Sequence, residues 1–315
     1  MNFNKEIKLK SGHIVGSENK PFLVAEIGLN HNNDSEIGKR TIEAAAKSGA
    51  NAVKFQSYVT EEFIDSDNKE AKFLFDIFKK YELSEKKHIE FQKAALDEGL
   101  VFFSTPLCNS SVDLLSDLNV PILKVASGDI VNYPLLKRCA SKGIPIFLSS
   151  GAADLFETVR AVEYLDSVQA KNLCLLHCIS MYPTPSESVN IGTLDLFKDM
   201  FDFPIGFSDH SPGFLASAIA ITHGASVIEK HFTLDKNLPG PDHSISLNPD
   251  EFKLLSINCN DAFSMKGKKE KIVHQKEIDG RFYGRRSMYF RASGPIALRP
   301  AIHIKDSNIP DAWIH

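Results

Sequence analysis

Eight short apolar runs spaced by amphipathic stretches constrain this chain more than any single residue does. The runs FLVAEIG, NAVKFQS, VFFSTP, ILKVASGDI, PIFLSSG, LCLLHCISMY, FPIGFSDH and SVIEKHF are rich in Val, Ile and Phe and read as strands. Between or after them lie SEIGKRTIEAAAKSGA, KKHIEFQKAALDEG, PLLKRCASKG, DLFETVRAVEYLDSV and NPDEFKLLSINCNDAFSMKG, whose apolar spacing predicts helices. A strand joined to the next through a helix pairs with it in parallel. Eight such units within about 250 residues predict a closed (β/α)8 TIM barrel rather than an open doubly wound sheet. The G-x-G-x-x-G turn that a dinucleotide-binding sheet would place after its first strand is missing. Ahead of the barrel, EIKLKSGHIVG alternates as a hairpin does and is expected to close the barrel's bottom. The expected organisation is an N-terminal hairpin cap over residues 1–20, a barrel over 21–270 and a short irregular C-terminal extension over 271–315.

Composition narrows the function classes. With 43% apolar and 24% charged residues the chain has the material for a soluble globular core. A formal charge of -4 gives no footing for nucleic acid, and no apolar run is long enough to span a bilayer. The start MNFNKEIKLK is polar, which sets the expectation of no signal sequence and a cytoplasmic protein. Five scattered cysteines (Cys108, Cys139, Cys174, Cys178 and Cys259) read as reduced thiols, and Cys174 and Cys178 share one strand without a second pair to complete a zinc site.

In a barrel the carboxyl ends of the strands face one pocket, and here those ends carry the polar chemistry. They supply Glu26, Asn30 and His31; Lys54 and Gln56; Ser104 and Thr105; Lys124, Ser127 and Asp129; His177, Ser180 and Tyr182; Glu229 and Lys230; and then Asp242 and His243 in PGPDH. A single histidine at a strand end is commonly a hydrogen-bonded surface group. His210 and His231, however, end two consecutive strands and should emerge at the same rim, as half of a metal site. Two imidazoles completed by water and substrate oxygens suit Mn²⁺, with Mg²⁺ or Co²⁺ as alternatives, better than Zn²⁺. A lone strand lysine is often a snorkelling rim residue. Lys54 and Lys124 together, with Ser127, Ser149 and Ser208, read as a cradle for phosphate or carboxylate.

The ordered motifs AEIGLNH, KFQ, FSTP, KVASGDI, LSSG, HCISMYPTP, GFSDHS, IEKHFTLD and PGPDHSISL resemble those of the N-acetylneuraminate (sialic acid) synthase family over roughly residues 20–290. The resemblance implies a (β/α)8 transferase that forms a C–C bond between phosphoenolpyruvate and an N-acetylated hexosamine, releasing phosphate with a divalent metal such as Mn²⁺. It implies that Lys54, Thr105, Lys124, Ser127, Ser149 and Ser208 hold phosphoenolpyruvate and that His210 and His231 bind the metal. Glu26, Gln56, Asp129, Tyr182 and Asp242 would position the sugar, with Glu26, Lys54, Lys124 and Asp242 as the catalytic candidates. A homodimer is also implied.

Departures from the family pattern refine these expectations. Asp129 stands where many bacterial members carry Glu, Ser180 replaces an Asn, and LSSGAA lacks a Met. After GRRSM only 27 residues remain, too few for the antifreeze-like domain that supplies an arginine to a partner's pocket; Arg299-Pro300 resembles its arginine-bearing stretch. The expected acceptor is of the N-acetylmannosamine type. The alternatives are a diacetamido sugar leading to legionaminic- or pseudaminic-type acids, or a silent barrel regulating a full-length paralogue. A Schiff-base aldolase working through Lys54, Lys124 or Lys230 is the competing mechanism.

Overall fold

The structure is a computed structural model that describes residues 1–299; residues 300–315, with Pro300 of the expected arginine stretch, lie outside the described residues. The chain divides into two compact units at Lys266 and Gly267. In the first, β1 (Ile7–Lys8) and β2 (Ile14–Val15) form the antiparallel hairpin. The eight strands that follow are β3 (Phe22–Gly28), β4 (Ala52–Ser57), β5 (Val101–Pro106), β6 (Leu123–Val125), β7 (Ile146–Ser149), β8 (Leu173–Cys178), β9 (Ile205–Asp209) and β10 (Val227–His231). They close in order, all parallel, with β10 pairing β3. This is the (β/α)8 barrel expected.

The helices form where the apolar period and the caps coincide. In α1 (Ser35–Lys47) the Asp34 side chain accepts from the amides of Glu36 and Ile37 at 2.8 and 2.9 Å, satisfying first-turn donors that the helix itself leaves free. A reciprocal capping box of Asp154 and Glu157 opens α7 (Leu155–Ser167). Within the first unit, α2 (Thr60–Phe63) and α3 (Lys72–Tyr81) fill a long excursion between β4 and α4 (Glu85–Asp97). Then come α5 (Asn109–Asp117), α6 (Tyr133–Ser141), α8 (Thr193–Met200), α9 (Leu215–Thr222) and α10 (Pro249–Lys266). The outward side chains of the strands pack against these helices, as where Phe55 stacks on Phe91 of α4 with centroids 5.2 Å apart.

The alternation of side chains along each strand creates the site. Inward residues of the lower layers are apolar: Phe22, Val24, Ala52, Phe103 and Phe147 pack with Ile7, Leu9 and Val15 of the hairpin, which plugs the bottom. Two residues further up the same inward rows stand Glu26, Lys54, Lys124, Ser149, Cys178, Ser208 and Glu229. The apolar floor therefore ends where a charged layer begins.

The second unit is more regular than the irregular tail expected. It holds α11 (Gln275–Gly284) and an antiparallel pair, β11 (Ser287–Arg291) with β12 (Gly294–Leu298). Arg299 is exposed and is the last described residue.

Candidate active site

At the carboxyl end of the barrel a cavity of about 260 Å³ gathers most of the expected residues. Glu26, Lys54, Gln56, Thr105, Lys124, Ser127, Ser149, Tyr182, Ser208, His210 and His231 all line it. Its floor is a buried charge cluster. Lys54 Nζ lies 2.9 Å from Glu26 and 3.6 Å from Glu229, and donates to Thr105 Oγ1 at 3.0 Å. Lys124 Nζ is 3.4 Å from the same Glu229 oxygen, to which Ser208 Oγ donates at 3.0 Å. Glu229 thus sits between both ammonium groups, and it is the functional residue to which sequence reasoning gave no role. Its place was legible, because it lies two residues before His231 on the same inward row.

Burial and charge pull these groups in opposite directions. Burial raises the Glu26 carboxyl above its ordinary value, with Lys54 opposing and Glu229 reinforcing the rise. Burial also pushes Glu229 upward, but the two ammonium groups and the Ser208 hydroxyl outweigh it and hold that carboxyl low. Burial lowers Lys124, whereas in Lys54 the two carboxylates overcome the same penalty. Several polar atoms remain without a hydrogen-bond partner: Ser149 Oγ, Glu229 Oε2 and His231 Nδ1 are buried and unsatisfied. Such atoms cost stability unless something else meets them, as expected of a site shaped for a polar ligand.

The two histidines sit on one rim with ring centroids 5.5 Å apart, and the Tyr182 ring packs tilted against His210 with centroids 4.1 Å apart. His210 Nδ1 lies 2.8 Å from the Ile179 carbonyl. If that nitrogen carries the proton, Nε2 keeps the lone pair a metal needs. Enclosure lowers His231 to about 4, which keeps it neutral near pH 7. Asp242 Oδ2 is 3.9 Å from His231 Nδ1, and burial raises its carboxyl. Among the described residues no three His, Cys, Asp or Glu side chains gather into a protein-only metal cage. The donor set is therefore two imidazoles with room for exogenous oxygen, which fits an open divalent site and not a closed structural one.

Two glycines make this crowding feasible. Gly28 has φ +52°, and β3 slips register against β4 between Glu26 and Gly28. A Cβ there would meet Asp242 and Glu26 oxygens at 3.2 Å and Gln56 Nε2 at 3.6 Å, so these three polar side chains converge on one point. Gly151 donates its amide to Ser127 Oγ at 3.0 Å. An added Cβ would fall 2.4 Å from Ser180 Oγ and 2.7 Å from Ser127 Oγ. Gly151→Ala should accordingly turn both hydroxyls away with little loss of stability. Its KM for the anionic substrate should rise by on the order of tenfold at nearly constant melting temperature, and an unchanged KM would contradict this placement of Ser127.

Several strand-end residues point the other way. Lys230 is on the outward row, paired at 3.0 Å with Asp209 and donating to the Ser211 carbonyl, so it is no Schiff-base candidate for this cavity. His177 stacks on Phe207 outside the barrel wall, its Nε2 2.8 Å from the Val189 carbonyl. Asp129, expected as a sugar contact, does not line the cavity: it closes a 3-10 turn, where strand alternation no longer applies, and accepts from Asn132 at 3.0 Å. Asn30 instead ties the loops together through Phe232 O and Ser246 Oγ, both at 2.9 Å. Ser104 bonds Ser57 at 2.7 Å, and His243 lies 2.6 Å from Thr233 Oγ1.

His31 is buried between Phe55 and Phe91, with its Nδ1 accepting from the Asn33 amide at 2.9 Å. Burial lowers it from 6.5 to about 3. The folded state then binds a proton less readily than the unfolded chain. Its contribution to stability is present above pH 6.5 and is lost as pH falls through the window toward 3, by up to about 1.4 kcal/mol per pH unit. Urea midpoints from pH 7 to 4 should fall more steeply for the parent chain than for His31→Leu, and equal slopes would sink the assignment.

A (β/α)8 barrel with a lysine–carboxylate floor and a two-histidine rim at the carboxyl ends of its strands has the layout of an enzyme active site. The chain matches the NeuB family over residues 41–271. It is 38% identical over 318 residues to the N,N'-diacetyllegionaminic acid synthase of Legionella pneumophila, covering 93% of this chain and 89% of that one. It is 36% identical to the human N-acetylneuraminate-9-phosphate synthase, over 79% of this chain and 72% of the relative. A solved sialic acid synthetase of Leptospira borgpetersenii, in complex with citrate, superposes with a TM-score of 0.82 at 33% identity, covering 89% of this chain and 96% of that one. The chain belongs to the NeuB family of sialic, legionaminic and pseudaminic acid synthases.

Proposed function

We propose that this chain condenses phosphoenolpyruvate with the open-chain aldehyde of an N-acetylated hexosamine of the N-acetylmannosamine type, releasing phosphate. The observation that carries the reading is the meeting of Lys54, Lys124 and Ser208 with His210 and His231 around one cavity. Two ammonium groups and the hydroxyls of Thr105, Ser127, Ser149 and Ser208 would hold the phosphate and carboxylate of phosphoenolpyruvate. His210 and His231 would hold a divalent ion, Mn²⁺ in this reading, which when bound would draw electron density from the aldehyde oxygen. Gln56, Tyr182 and Asp242 would orient the sugar so that its carbonyl carbon lies against C3 of phosphoenolpyruvate.

In the reaction the C2–C3 π pair of the enol phosphate forms the new bond from C3 to the aldehyde carbon, and the aldehyde oxygen gains a proton. Water then adds at C2, and the tetrahedral intermediate loses phosphate by cleavage of the C–O bond. Glu26 is assigned the proton transfer, because its burial lifts the carboxyl toward the pH range in which it can both hold and release a proton. Glu229, kept anionic, fixes the spacing of the two lysines. Acting on phosphoenolpyruvate places the enzyme in the cytoplasm, and a second copy of the chain is the expected partner. Among the described residues no helix is long and apolar enough to cross a membrane.

A diacetamido acceptor is the second reading. It is favoured by the diacetyllegionaminic acid synthase, which matches more of this chain than the human relative does. Incubation of the enzyme and phosphoenolpyruvate with isotopically labelled N-acetylmannosamine or a labelled diacetamido sugar, followed by mass analysis, separates the two. A product heavier than its sugar by a pyruvate unit from either supports the condensation, and its absence from both contradicts it.

A further inference from the structure

Outside the barrel wall, one residue back from each rim histidine, lies an ion pair that the cavity chemistry does not use. Asp209 and Lys230 precede His210 and His231 in the chain, and strand alternation turns their side chains outward while the histidines face the cavity. They form the last register pair between β9 and β10, one residue short of both imidazoles. Both side chains are buried, with Lys230 Nζ 3.0 Å from Asp209 Oδ2. Their remaining hydrogen-bonding capacity is taken up locally. Asp209 Oδ1 accepts from the amide and hydroxyl of Ser211 at 2.8 and 2.6 Å, Oδ2 accepts from Ser217 Oγ of α9 at 2.6 Å, and Lys230 donates to the Ser211 carbonyl.

Elsewhere the two histidines are anchored to different neighbours. His210 is held toward β8: its carbonyl accepts from the Thr184 amide at 2.9 Å, and its Nδ1 lies 2.8 Å from the Ile179 carbonyl. His231 is held toward β3 and the segment before α10: it pairs with Glu26 in the β3 ladder, and its carbonyl accepts from the Leu247 amide at 2.8 Å. Asp209 and Lys230 join these two halves. An apolar pair would hold the strands together about as well, because desolvating two charges offsets much of their attraction. What a lysine gripped by a carboxylate and a carbonyl adds is a fixed offset between the strand ends, and two ligands of an open metal site must keep one separation. We infer that Asp209 and Lys230 are positioning residues for the divalent ion, a clasp on the outer wall that sets the spacing of His210 and His231. The inference rests on the metal reading of those histidines and adds to it two residues that touch neither ion nor substrate.

The test uses the full chain and Mn²⁺ alone, without substrate, reading the dissociation constant from the free-ion electron paramagnetic resonance signal. In the double variant Asp209→Asn with Lys230→Met both charges go together, so neither is left buried and unpaired. Its dissociation constant should rise by about tenfold or more, the usual size for residues that hold a metal ligand in place. Ser217→Ala, which removes only the α9 hydroxyl from Asp209, should raise it by a smaller factor, above about twofold. Ser104→Val breaks the contact with Ser57 on the outer face of β5, three strands from β10, and controls for a generally loosened wall. Its melting temperature should fall while its affinity stays at the parent's. Affinity within about twofold of the parent in both clasp variants, or a loss in Ser104→Val equal to that in the double variant, overturns the inference. If the double variant does not fold, Ser217→Ala decides alone. Should His210→Ala bind as tightly as the parent, the metal reading falls and the inference with it; should His210→Ala lose the ion while the clasp variants keep it, the inference alone falls.

Discussion

Lys54→Met should abolish most activity and weaken the fold together. Lys54 is buried and bridges Glu26 and Glu229, which remain in the cavity after the change. Removing one partner of a buried ion pair leaves charge uncompensated and costs on the order of 3–5 kcal/mol. Protonation of Glu26 relieves part of this, because burial already favours its neutral form. The unfolding free energy should therefore drop by less at pH 5 than at pH 8. Lys124→Met, which loses only the 3.4 Å contact with Glu229, should destabilise less. In turnover the two should be comparable, each losing roughly 10²–10³ in kcat/KM with removal of a preorganised cation. Equal stability of all three proteins by denaturant titration would show that the charge cluster is not built as described.

His210→Ala should separate metal binding from folding. The imidazole contacts the Ile179 carbonyl and Tyr182 but stands at the rim, so its loss should move the melting temperature little. Mn²⁺ affinity, followed by the free-ion electron paramagnetic resonance signal, should fall by about 10²-fold or more, since even residues supporting a metal ligand commonly cost 10–100-fold. His231→Ala should behave alike, whereas His177→Ala, altered outside the barrel wall, should leave the affinity unchanged. Undiminished binding in both rim variants would remove the metal from these histidines.

The barrel was legible because the alternation of strand and helix patterns admits few closures, and the site was legible because charged residues at inward strand positions contradict the apolar rule of a barrel core. What separated Lys54, Lys124 and Glu229 from Lys230, Asp209 and His177 was the side of the wall each faces. Counting in twos upward from Phe22, Ala52 or Val227 resolves this once the strand starts are known to the residue, a precision that apolar runs alone do not supply. Asp129 failed for a related reason, since a 3-10 turn replaces the strand one residue before Gly128. Phe63 and Phe78, which also line the cavity, carried no strand or motif signal at all. They lie more than twenty positions before the next strand, on an excursion braced by Thr60 on Glu82 and by the Tyr58 hydroxyl on the Phe78 carbonyl.

The central claim is condensation chemistry in this cavity, and phosphate release tests it most directly. Enzyme, phosphoenolpyruvate and Mn²⁺ are incubated with N-acetylmannosamine or a diacetamido sugar, beside an EDTA control and His210→Ala. The account predicts release that needs both sugar and metal and is largely lost in the variant. Release without sugar, full activity in EDTA, or no release with any acceptor despite bound phosphoenolpyruvate and metal would contradict it.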